Sequence, residues 1–444
     1  MSYANQSVAV LGAGESGEAA ARLLQAEGAM ITILDSAEES RLRTKIDLLG
    51  AEGLRVVAGA AAERESLHGS YEASILSPGI DPVVPLVQNF RKRRIKMVGE
   101  LELAYERCEC PIVGITGTNG KTTTTQLVEQ MLNACGVKTL AAGNIGPAFS
   151  ARVRQSKDLD LMTLEISSFQ LETIERFRAE IAVWLGFAAD HLDRYGSMEE
   201  YYAAKIRIFE NQTSEDWAVI NFRDKLPELK AQRITFSAYV PGADFELREG
   251  AIHFRGQRVL AMADTKLRGA HNAENLMATL GVGVARGLAF EQMVPPLCAY
   301  QPLPHRCELV RTFEGVDYIN DSKGTNPDSV EKALVLETRP VVLIAGGKDK
   351  GFEYDMLTDL VADKCRAAVV IGEMGERIEA IWKDRMPVAN AGWSLEKAVQ
   401  LARGLAQPGD IVLLSPGTSS FDMFKNYADR GNQFRALVHA LTTT

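Results

Sequence analysis

The feature of this sequence that most constrains its fold is an alternation of short β-branched runs with helical stretches. The alternation restarts three times, at residues 7–11, 111–115 and 340–344. Such a pattern is typical of parallel strands joined by crossover helices, because parallel neighbours cannot be connected by a tight turn. The sequence therefore predicts an α/β protein that consists of three modules.

The length of the chain and two breaks in the pattern suggest where the modules meet. A chain of 444 residues is long enough for two or three domains at about 150 residues each. The first break lies near Gly99, after a basic run at 91–96, and the second lies at 301–304, where two prolines stop any helix. We therefore predict domains at 1–99, 100–304 and 305–444.

Composition and charge exclude several classes of protein. Apolar residues make up 46% of the chain and charged residues 24%, which is typical of a soluble globular protein rather than a disordered one. The 49 Lys and Arg residues are outnumbered by 58 Asp and Glu residues, and the resulting net charge of −9 disfavours binding to nucleic acid. We interpret the basic run at 91–96 as solvated surface.

Cysteine usage and hydropathy indicate the compartment. The six cysteines are scattered without paired CxxC motifs, so we expect reduced thiols. The N-terminal residues lack the pattern of a signal peptide, and no apolar run approaches the roughly 18 residues of a membrane helix. We expect a cytoplasmic monomer that does not insert into a membrane.

A glycine-rich loop, Gly-Ala-Gly-Glu-Ser-Gly at 12–17, follows the first predicted strand and opens a helical run. Glycines let the backbone approach a phosphate, and the N-terminus of a helix offers N–H donors. The next predicted strand, 30–34, is followed by Asp35, where an acidic residue can accept protons from ribose or base. These residues fit NAD, FAD or another nucleotide, and a loop that only turns the chain remains an alternative.

A second loop, Thr-Gly-Thr-Asn-Gly-Lys-Thr-Thr at 116–123, lies between a predicted strand and a predicted helix at 126–134. Such a loop gives a nest of N–H donors for phosphates, a lysine for the outer phosphates and a hydroxyl for Mg²⁺. Ile115 stands where the strict pattern has glycine, but the Gly-Lys-Thr core is intact. The sequence therefore predicts a P-loop.

A P-loop also needs a carboxylate on the metal side, at the end of a neighbouring strand. Glu165 follows the strand-like run 159–164 and is predicted to hold Mg²⁺ together with Thr122. Further along, residues 190–195 place Asp190, His191 and other ionisable groups in a turn. A lone histidine in such a turn is more often a surface residue than a ligand.

Several segments together resemble the Mur ligases, the ATP-dependent ligases that build the peptide of bacterial peptidoglycan. The segments are 116–122, 165–170 (Glu-Ile-Ser-Ser-Phe-Gln), 190–191 and 271–275 (His-Asn-Ala-Glu-Asn). Two more, 320–327 and 415–424, resemble the members that add D-glutamate to UDP-N-acetylmuramoyl-L-alanine. The resemblance covers essentially the whole chain in the expected order.

The resemblance implies a fold and a reaction. The fold would have an N-terminal Rossmann-like domain for the UDP-linked substrate, a central P-loop ATPase-like domain and a C-terminal Rossmann-like domain that binds the amino acid. The reaction would use ATP and Mg²⁺ to form an acyl phosphate, which the amine of D-glutamate then attacks. Another Mur-type ligase or a folylpolyglutamate-type ligase is the nearest enzymatic alternative, although the latter lacks a UDP domain.

The resemblance also assigns residues to each substrate. The UDP-linked substrate would contact Gly14, Ser16, Gly17, Asp35, Ser77, Gly79 and Asn144. Some relatives carry a basic residue two positions after the aspartate, where this chain has Ala37. ATP would contact Gly117, Thr118, Asn119, Gly120, Lys121, Thr122 and Thr123, with Asn275 at the adenine, Arg306 at the phosphates and Asp321 at the ribose.

The remaining assignments concern the amino acid and the reacting groups. D-glutamate would contact Thr325, Lys350, Ser420 and Tyr427, with Lys348 as a competitor for the role of Lys350. The catalytic set would be Lys121, Glu165, His191, Lys205 and Lys323. Mg²⁺ ligands would be Thr122, Glu165, His191 and Lys205, the last carbamylated by CO₂.

Two other classes of protein explain only part of these motifs. A nicotinamide oxidoreductase would explain the glycine loop at 12–17 and Asp35 but leaves the P-loop and Glu165 without a role. A nucleotide-switched binding module would explain the P-loop but gives no role to the polar residues predicted in the third domain.

Overall fold

A computed structural model describes residues 3–191, 194–302 and 304–442 of the chain. Leu192 and Asp193, from the ionisable turn, and Leu303, from the proline-rich break, lie outside the described residues. The described residues form three β-sheets, each with helices between its strands. None of the helices seen in these residues combines the length and the apolar character that crossing a membrane requires.

The described chain divides into two compact units that are interleaved in sequence. The first contains the chain up to Gly186, Glu199–Leu260 and Glu274–Cys298, and the second contains Phe187–Met198, Ala261–Ala273 and the chain from Ala299 onward. The first two sheets belong to the first unit, apart from the last residue of the second sheet, and the third sheet belongs to the second unit.

The first sheet is parallel and has the strand order β3-β2-β1-β4-β5. Its strands are β1 (Ser7–Leu11), β2 (Met30–Asp35), β3 (Arg55–Ala58), β4 (Ala73–Leu76) and β5 (Lys96–Gly99). Its helices are α1 (Glu15–Gln25), α2 (Glu39–Ala51), α3 (Gly59–His68) and α4 (Pro85–Lys92), followed by α5 (Glu100–Tyr105). The order reverses between β1 and β4, which is the position where open α/β sheets bind ligands.

The second sheet has the order β14-β13-β12-β11-β10-β9-β6-β8-β7. Its strands are β6 (Ile112–Thr116), β7 (Thr139–Gly143), β8 (Leu161–Glu165), β9 (Ile181–Trp184), β10 (Trp217–Asn221), β11 (Gln232–Ser237), β12 (Phe245–Arg248), β13 (Ala251–Phe254) and β14 (Gln257–Ala261). Its helices are α6 (Lys121–Ala134), α7 (Phe149–Arg152), α8 (Ser168–Leu171), α9 (Met198–Ile206), α10 (Ala270–Ala285) and α11 (Phe290–Ala299). All neighbouring strands from β7 to β12 in the sheet order, β6 included, pair in parallel, whereas β12 and β13 pair antiparallel.

The third sheet has the order β15-β16-β20-β17-β18-β19 and is parallel except for the β15–β16 hairpin. Its strands are β15 (Glu308–Phe313), β16 (Val316–Asn320), β17 (Val341–Gly346), β18 (Cys365–Ile371), β19 (Val388–Gly392) and β20 (Ile411–Leu414). Its helices are α12 (Pro327–Leu336), α13 (Thr358–Lys364), α14 (Gly375–Trp382), α15 (Leu395–Leu405) and α16 (Tyr427–His439). Short 3₁₀ turns span Val153–Asp158, Arg207–Phe209, Met262–Asp264 and Asp355–Leu357.

These elements confirm the predicted α/β class and the three restarts of the strand pattern. The predicted strand at 7–11 is β1, and the predicted helix at 126–134 begins earlier, at Lys121, directly after the P-loop. The predicted strand at 159–164 begins later, at Leu161, because a bend at 159–160 follows the 3₁₀ turn that ends at Asp158. The last strand of the first sheet ends at Gly99, but the first compact unit continues past it, so the predicted domain boundaries stay predictions.

Buried polar contacts join the first two sheets into one unit. The carboxylate of Glu102 on α5 accepts hydrogen bonds at 2.9 Å from the backbone N–H groups of Glu175, Arg176 and Phe177. This carboxylate is 1% exposed, and satisfying three donors offsets much of the cost of burying its charge. Across the predicted boundary at 99, Arg107 donates from Nε and Nη2 to the two carboxylate oxygens of Glu27, both at 2.7 Å, so an ion pair also joins the first two predicted domains.

The glycine loop after β1 depends on one close approach. A Cβ added at Gly17 would overlap the carbonyl oxygen of Gly12 and lie 2.7 Å from Ser77 Oγ. A Cβ added at Gly14, three residues earlier, would meet no described atom within 4 Å. Helix α1 can therefore pack against the loop only because residue 17 has no side chain.

We expect Gly17→Ala to destabilise the protein by about 2 kcal/mol, since an atom forced into a packed contact costs about 1–3 kcal/mol. Gly14→Ala is the matched control, and as an N-cap change it should cost only about 0.5 kcal/mol. Urea unfolding followed by circular dichroism measures both values. Equal losses for the two variants would contradict the steric argument.

Candidate active site

The P-loop lies at the carboxyl end of β6, between the ends of β8 and β9. Gly117 and Gly120 adopt φ angles of +144° and +85°, in the region that favours glycine. Gly120 is the N-cap of α6, so the backbone N–H groups at the start of that helix follow directly. The predicted strand–loop–helix arrangement is confirmed, and it can accept an anion.

Two lysines converge on one carbonyl oxygen of this loop. Lys121 Nζ donates to the carbonyl oxygens of Gly117 and Thr118, both at 2.9 Å. Lys205 Nζ, from α9, donates to the same Gly117 oxygen at 2.8 Å. Lys205 is 1% exposed, so it is not the exposed helix lysine that its position on a helix would suggest. Two positive charges at the loop favour a ligand with several negative charges.

Glu165, at the end of β8, has one satisfied and one unsatisfied oxygen. Its Oε1 accepts from Asn144 Nδ2 at 2.7 Å. Its Oε2 is buried and has no hydrogen-bond partner among the described residues. An unpaired carboxylate oxygen in a buried position is costly unless a cation is bound there.

The unpartnered Oε2 of Glu165 raises the question whether the residues beside the P-loop fit a metal ion. Glu165 pairs in register with Ile115, near the end of β6, and Thr122 is the second residue of the helix after the loop. Magnesium prefers oxygen ligands from one or two carboxylates together with substrate phosphates and water. No group of three or more His, Cys, Asp and Glu residues that could hold a metal occurs in the described part of the chain. The residues present therefore fit a metal held jointly by Glu165, Thr122 and phosphate.

Asn275, on α10, lies against the P-loop. Its Oδ1 accepts from Thr124 Oγ1 at 3.2 Å, and a Cβ added at Gly120 would overlap the same oxygen. The amide thus limits residue 120 to glycine. Its adenine contact stays a prediction, as do the nucleotide contacts of Thr118, Asn119 and Thr123.

The glycine loop of the first sheet is held by residues from two neighbouring elements. Asp35 accepts from the N–H groups of Ala13 and Ala37, at 2.7 and 2.8 Å, so the predicted ribose or base ligand also fastens the loop. Lys45 on α2 donates to the carbonyl oxygen of Ala13 at 2.7 Å and to Glu18 at 2.6 Å. Lys45 could not be predicted from the sequence, because a lysine on a solvated helix belongs to no motif.

The other predicted residues of this edge surround the same loop. Ser77 Oγ donates to the carbonyl oxygen of Gly12 at 3.4 Å, whereas Gly14 and Gly79 have no described atom within 4 Å of an added Cβ. Ser16 is half-buried in the first turn of α1. The loop therefore has one packed side and one open side, as a site for a nucleotide requires.

In the third sheet, the loops after β16, β17 and β20 lie side by side, because these strands are neighbours. The loop after β16 carries Lys323 and Thr325, the loop after β17 carries Lys350, and the loop after β20 carries Ser420. These are the residues predicted for the amino acid and the phosphoryl group. Lys323 Nζ lies 4.0 Å from the centre of the Tyr427 ring, so Tyr427 stabilises that lysine by a cation–π contact. The backbone of Lys348 pairs with that of Ser419, which joins the loops after β17 and β20.

Lys350 and Lys348 differ in their surroundings. The side chain of Lys350 is 14% exposed and forms an ion pair with Asp190 at 2.8 Å, whereas Lys348 is exposed. Asp190 also accepts from Asn326 Nδ2 at 3.2 Å and from the N–H of His191 at 2.8 Å. Burial raises the pKa of Asp190, but Lys350 and His191 together outweigh burial and lower the pKa to about 2. The geometry favours Lys350 over Lys348 as the buried cation.

Asp321 and His191 complete the predicted set in the second unit. Asp321 accepts from Ser415 Oγ at 2.8 Å and from the N–H of Cys307 at 3.3 Å, and burial raises its pKa to about 6. His191 adopts a φ of +55° directly after the ion-paired Asp190. Arg306 is half-buried in the segment before β15. The ribose, metal and phosphate contacts of these three residues stay predictions.

Comparisons with known proteins agree with this arrangement. Residues 115–283 match the Mur ligase middle domain, and residues 305–417 match the Mur ligase, glutamate ligase domain. The UDP-N-acetylmuramoylalanine–D-glutamate ligase of Koribacter versatilis is 43% identical over 99% of both chains. The enzyme of that name from Geobacter metallireducens is 40% identical over 100% of this chain and 99% of its own.

A solved structure gives the same fold at low identity. The MurF ligase of Thermotoga maritima, in complex with ADP, aligns with a TM-score of 0.61 and 16% identity, over 98% of this chain and 96% of its own. The two domain matches and the full-length identity to curated ligases agree with the motifs and with the P-loop geometry. The chain belongs to the Mur ligase family.

Proposed function

We propose that this chain is the ATP-dependent ligase that adds D-glutamate to UDP-N-acetylmuramoyl-L-alanine in peptidoglycan synthesis. The observation that carries the proposal is the P-loop with two converging lysines beside a carboxylate oxygen that lacks a partner. The substrates are those in the names of relatives that are 43% and 40% identical over the full chain. Because ATP and nucleotide-linked precursors are cytoplasmic metabolites, we expect the enzyme to act there, as a monomer.

The reaction follows from the chemistry of a carboxylate. Its leaving group would be oxide, so it cannot acylate an amine directly. A carboxylate oxygen of the alanyl substrate attacks the γ-phosphorus of ATP, and ADP leaves. The amine of D-glutamate then attacks the carbonyl carbon of the acyl phosphate, inorganic phosphate leaves, and the nitrogen loses its extra proton. A peptide bond, ADP and phosphate are the products.

Lys121 has the first electrostatic task. Both reacting partners are anionic, so positive charge must be in place before they meet. Lys121 already points along the P-loop, and it would exchange its carbonyl contacts for the phosphate oxygens. Thr122 and Glu165 would hold Mg²⁺, which when bound neutralises charge on the phosphates.

Lys205 has a role that requires a chemical change. A buried ammonium beside the P-loop would repel a metal ion, whereas a carbamate formed with CO₂ offers oxygen donors and a negative charge. Burial of this lysine and its contact with Gly117 support the assignment. Together with His191, the carbamate would serve as a ligand for a second Mg²⁺. Lys323 would approach the transferred phosphoryl group.

The two remaining substrates use the other sheets. The diphosphate of the UDP-linked substrate would lie at the open side of the loop 12–17, where Lys45 supplies the cation that Ala37 does not. D-glutamate has two carboxylates, and Lys350, Thr325 and Ser420 offer one cation and two hydroxyls for them. A ligase for a basic amino acid would need carboxylates in place of this set.

The central test is phosphate release from ATP. We expect release only when UDP-N-acetylmuramoyl-L-alanine and D-glutamate are both present, because the acyl phosphate is consumed only by an amine. L-glutamate, L-lysine and omission of each substrate are the controls. Turnover without the UDP-linked substrate, or equal turnover with L-glutamate, would overturn the assignment. Added NAD should cause no change in absorbance at nicotinamide wavelengths.

Lys121→Ala should lower kcat by a factor of about 100 or more, which is the loss expected when a preorganised charge at a reacting phosphoryl group is removed. The exposed Lys138, in the same unit, provides Lys138→Ala as a control with the same change of charge. Steady-state phosphate release measures both variants. Near wild-type activity of Lys121→Ala would contradict the role of the P-loop.

Lys205→Ala should be nearly inactive and should recover part of its activity in high concentrations of acetate or formate. A short carboxylate fits the vacated space and offers the oxygen donors of a carbamate. Lys157→Ala, an exposed lysine of the same unit, should keep full activity, since such truncations usually change stability by less than about 0.5 kcal/mol. The deciding measurement is the activity of Lys205→Ala across a series of added carboxylates, with folding checked by circular dichroism. Full activity of Lys205→Ala without additives would refute the carbamate.

A further inference from the structure

Arg430, in the first turn of α16, is buried against the loops of the third sheet. Its side chain is among the largest fully buried ones in the described chain. Nε donates to Ser322 Oγ at 2.9 Å, and Nη2 donates to the carbonyl oxygen of Ser322 at 2.8 Å. Nη1 donates to the carbonyl oxygen of Thr418 at 3.3 Å. The guanidinium therefore links the loop after β16 to the loop after β20.

The same guanidinium also touches the loop after β17. A Cβ added at Gly347 would lie 3.3 Å from Nη1 of Arg430. Gly347 begins the loop that carries Lys350, and its φ of +140° already favours glycine. All three loops that carry the candidate groups for the amino acid thus meet at one side chain.

The charge of Arg430 is buried without a direct counterion. Its hydrogen-bond acceptors are a hydroxyl and two carbonyl oxygens, and no ion pair of Arg430 occurs among the described residues. Burial lowers the pKa of its guanidinium to about 10, so the group remains protonated at neutral pH. Asp422 and Asp321 attract this cation without hydrogen-bonding to it. A buried cation whose hydrogen bonds all go to neutral oxygens is costly, and it favours a further anion bound nearby.

We propose that Arg430 is the positioning residue for the amino acid substrate. It fixes the three loops so that Thr325, Lys350 and Ser420 face one ligand, and its charge favours a ligand with two carboxylates. The inference deepens the proposed function and rests on it.

The first turn of α16 supports this role through a second contact. Tyr427, three residues before Arg430, packs under Lys323, and its carbonyl oxygen accepts from Ser322 Oγ at 2.8 Å. The hydroxyl of Ser322 thus receives one hydrogen bond from Arg430 and donates one to Tyr427. Arginine suits the position because its planar group has five donors in a fixed fork, whereas lysine has a single donating atom.

The test compares KM values for the three substrates in the full-length enzyme. In Arg430→Gln the KM for D-glutamate should rise at least tenfold, the loss typical of a hydrogen bond to a charged group. The KM for the UDP-linked substrate, which is assigned to the first sheet, should change less than about twofold. The KM for ATP should rise less than that for D-glutamate, since only the loop after β16 also carries residues assigned to ATP. Arg430→Lys should fall between wild type and Arg430→Gln, because it keeps the charge but not the fork.

Arg435→Gln is the matched control, since Arg435 lies on the same helix, 33% exposed, in an ion pair with Glu308. It should leave all three KM values unchanged. A folded Arg430→Gln enzyme with an unchanged KM for D-glutamate, or with an equal rise for all three substrates, overturns the inference. If the Arg430 variants do not fold, Ser322→Ala, which removes only the Nε acceptor and the Tyr427 contact, must show the same selective rise or the inference fails. Absence of D-glutamate-dependent turnover in the wild type would instead refute the proposed function.

Discussion

When helices cover both faces of a parallel sheet, polar side chains can reach a ligand at the edge formed by the carboxyl ends of the strands. This constraint locates the candidate groups in all three sheets. The glycine loop follows β1, the P-loop follows β6 and Glu165 ends β8. In the third sheet, the loops after β16, β17 and β20 carry the remaining groups because the chain returns to insert β20 between β16 and β17.

Charge at these edges is handled in three different ways. Lys121 and Lys205 both donate to the carbonyl oxygen of Gly117, a neutral contact in the loop where a polyphosphate would bind. Glu165 keeps one oxygen without a partner, which suits a cation. Lys350 is neutralised by Asp190. A bound amino acid would therefore compete with Asp190 for the ammonium of Lys350.

Much of the fold and the nucleotide loops could be predicted from the sequence, because each depends on residues that are close in the chain. The strand, the loop at 116–123 and the following helix form about one βα unit, so the local sequence pattern was sufficient to predict them. Contacts between distant segments could not be predicted in this way. The burial of Lys205 against Gly117 spans 88 residues, and the contact of Arg430 with Ser322 spans 108. For a lysine or an arginine on a helix, the neighbouring sequence does not indicate whether the charged group will be buried.

The interleaving of the two units has a consequence for synthesis of the chain on the ribosome. Asp190 leaves the ribosome well before Lys350, which follows it by 160 residues. Until Lys350 is synthesised, the segment Phe187–Met198, which contains Asp190, interrupts the first unit. The rest of the second unit, to which this segment belongs, has not yet been made. Because domains generally form as units and in order of synthesis, the second unit can close only after nearly the whole chain has emerged. A nascent chain stalled before Lys350 would hold a formed P-loop but no cation for Asp190, and so could bind nucleotide without completing the enzyme.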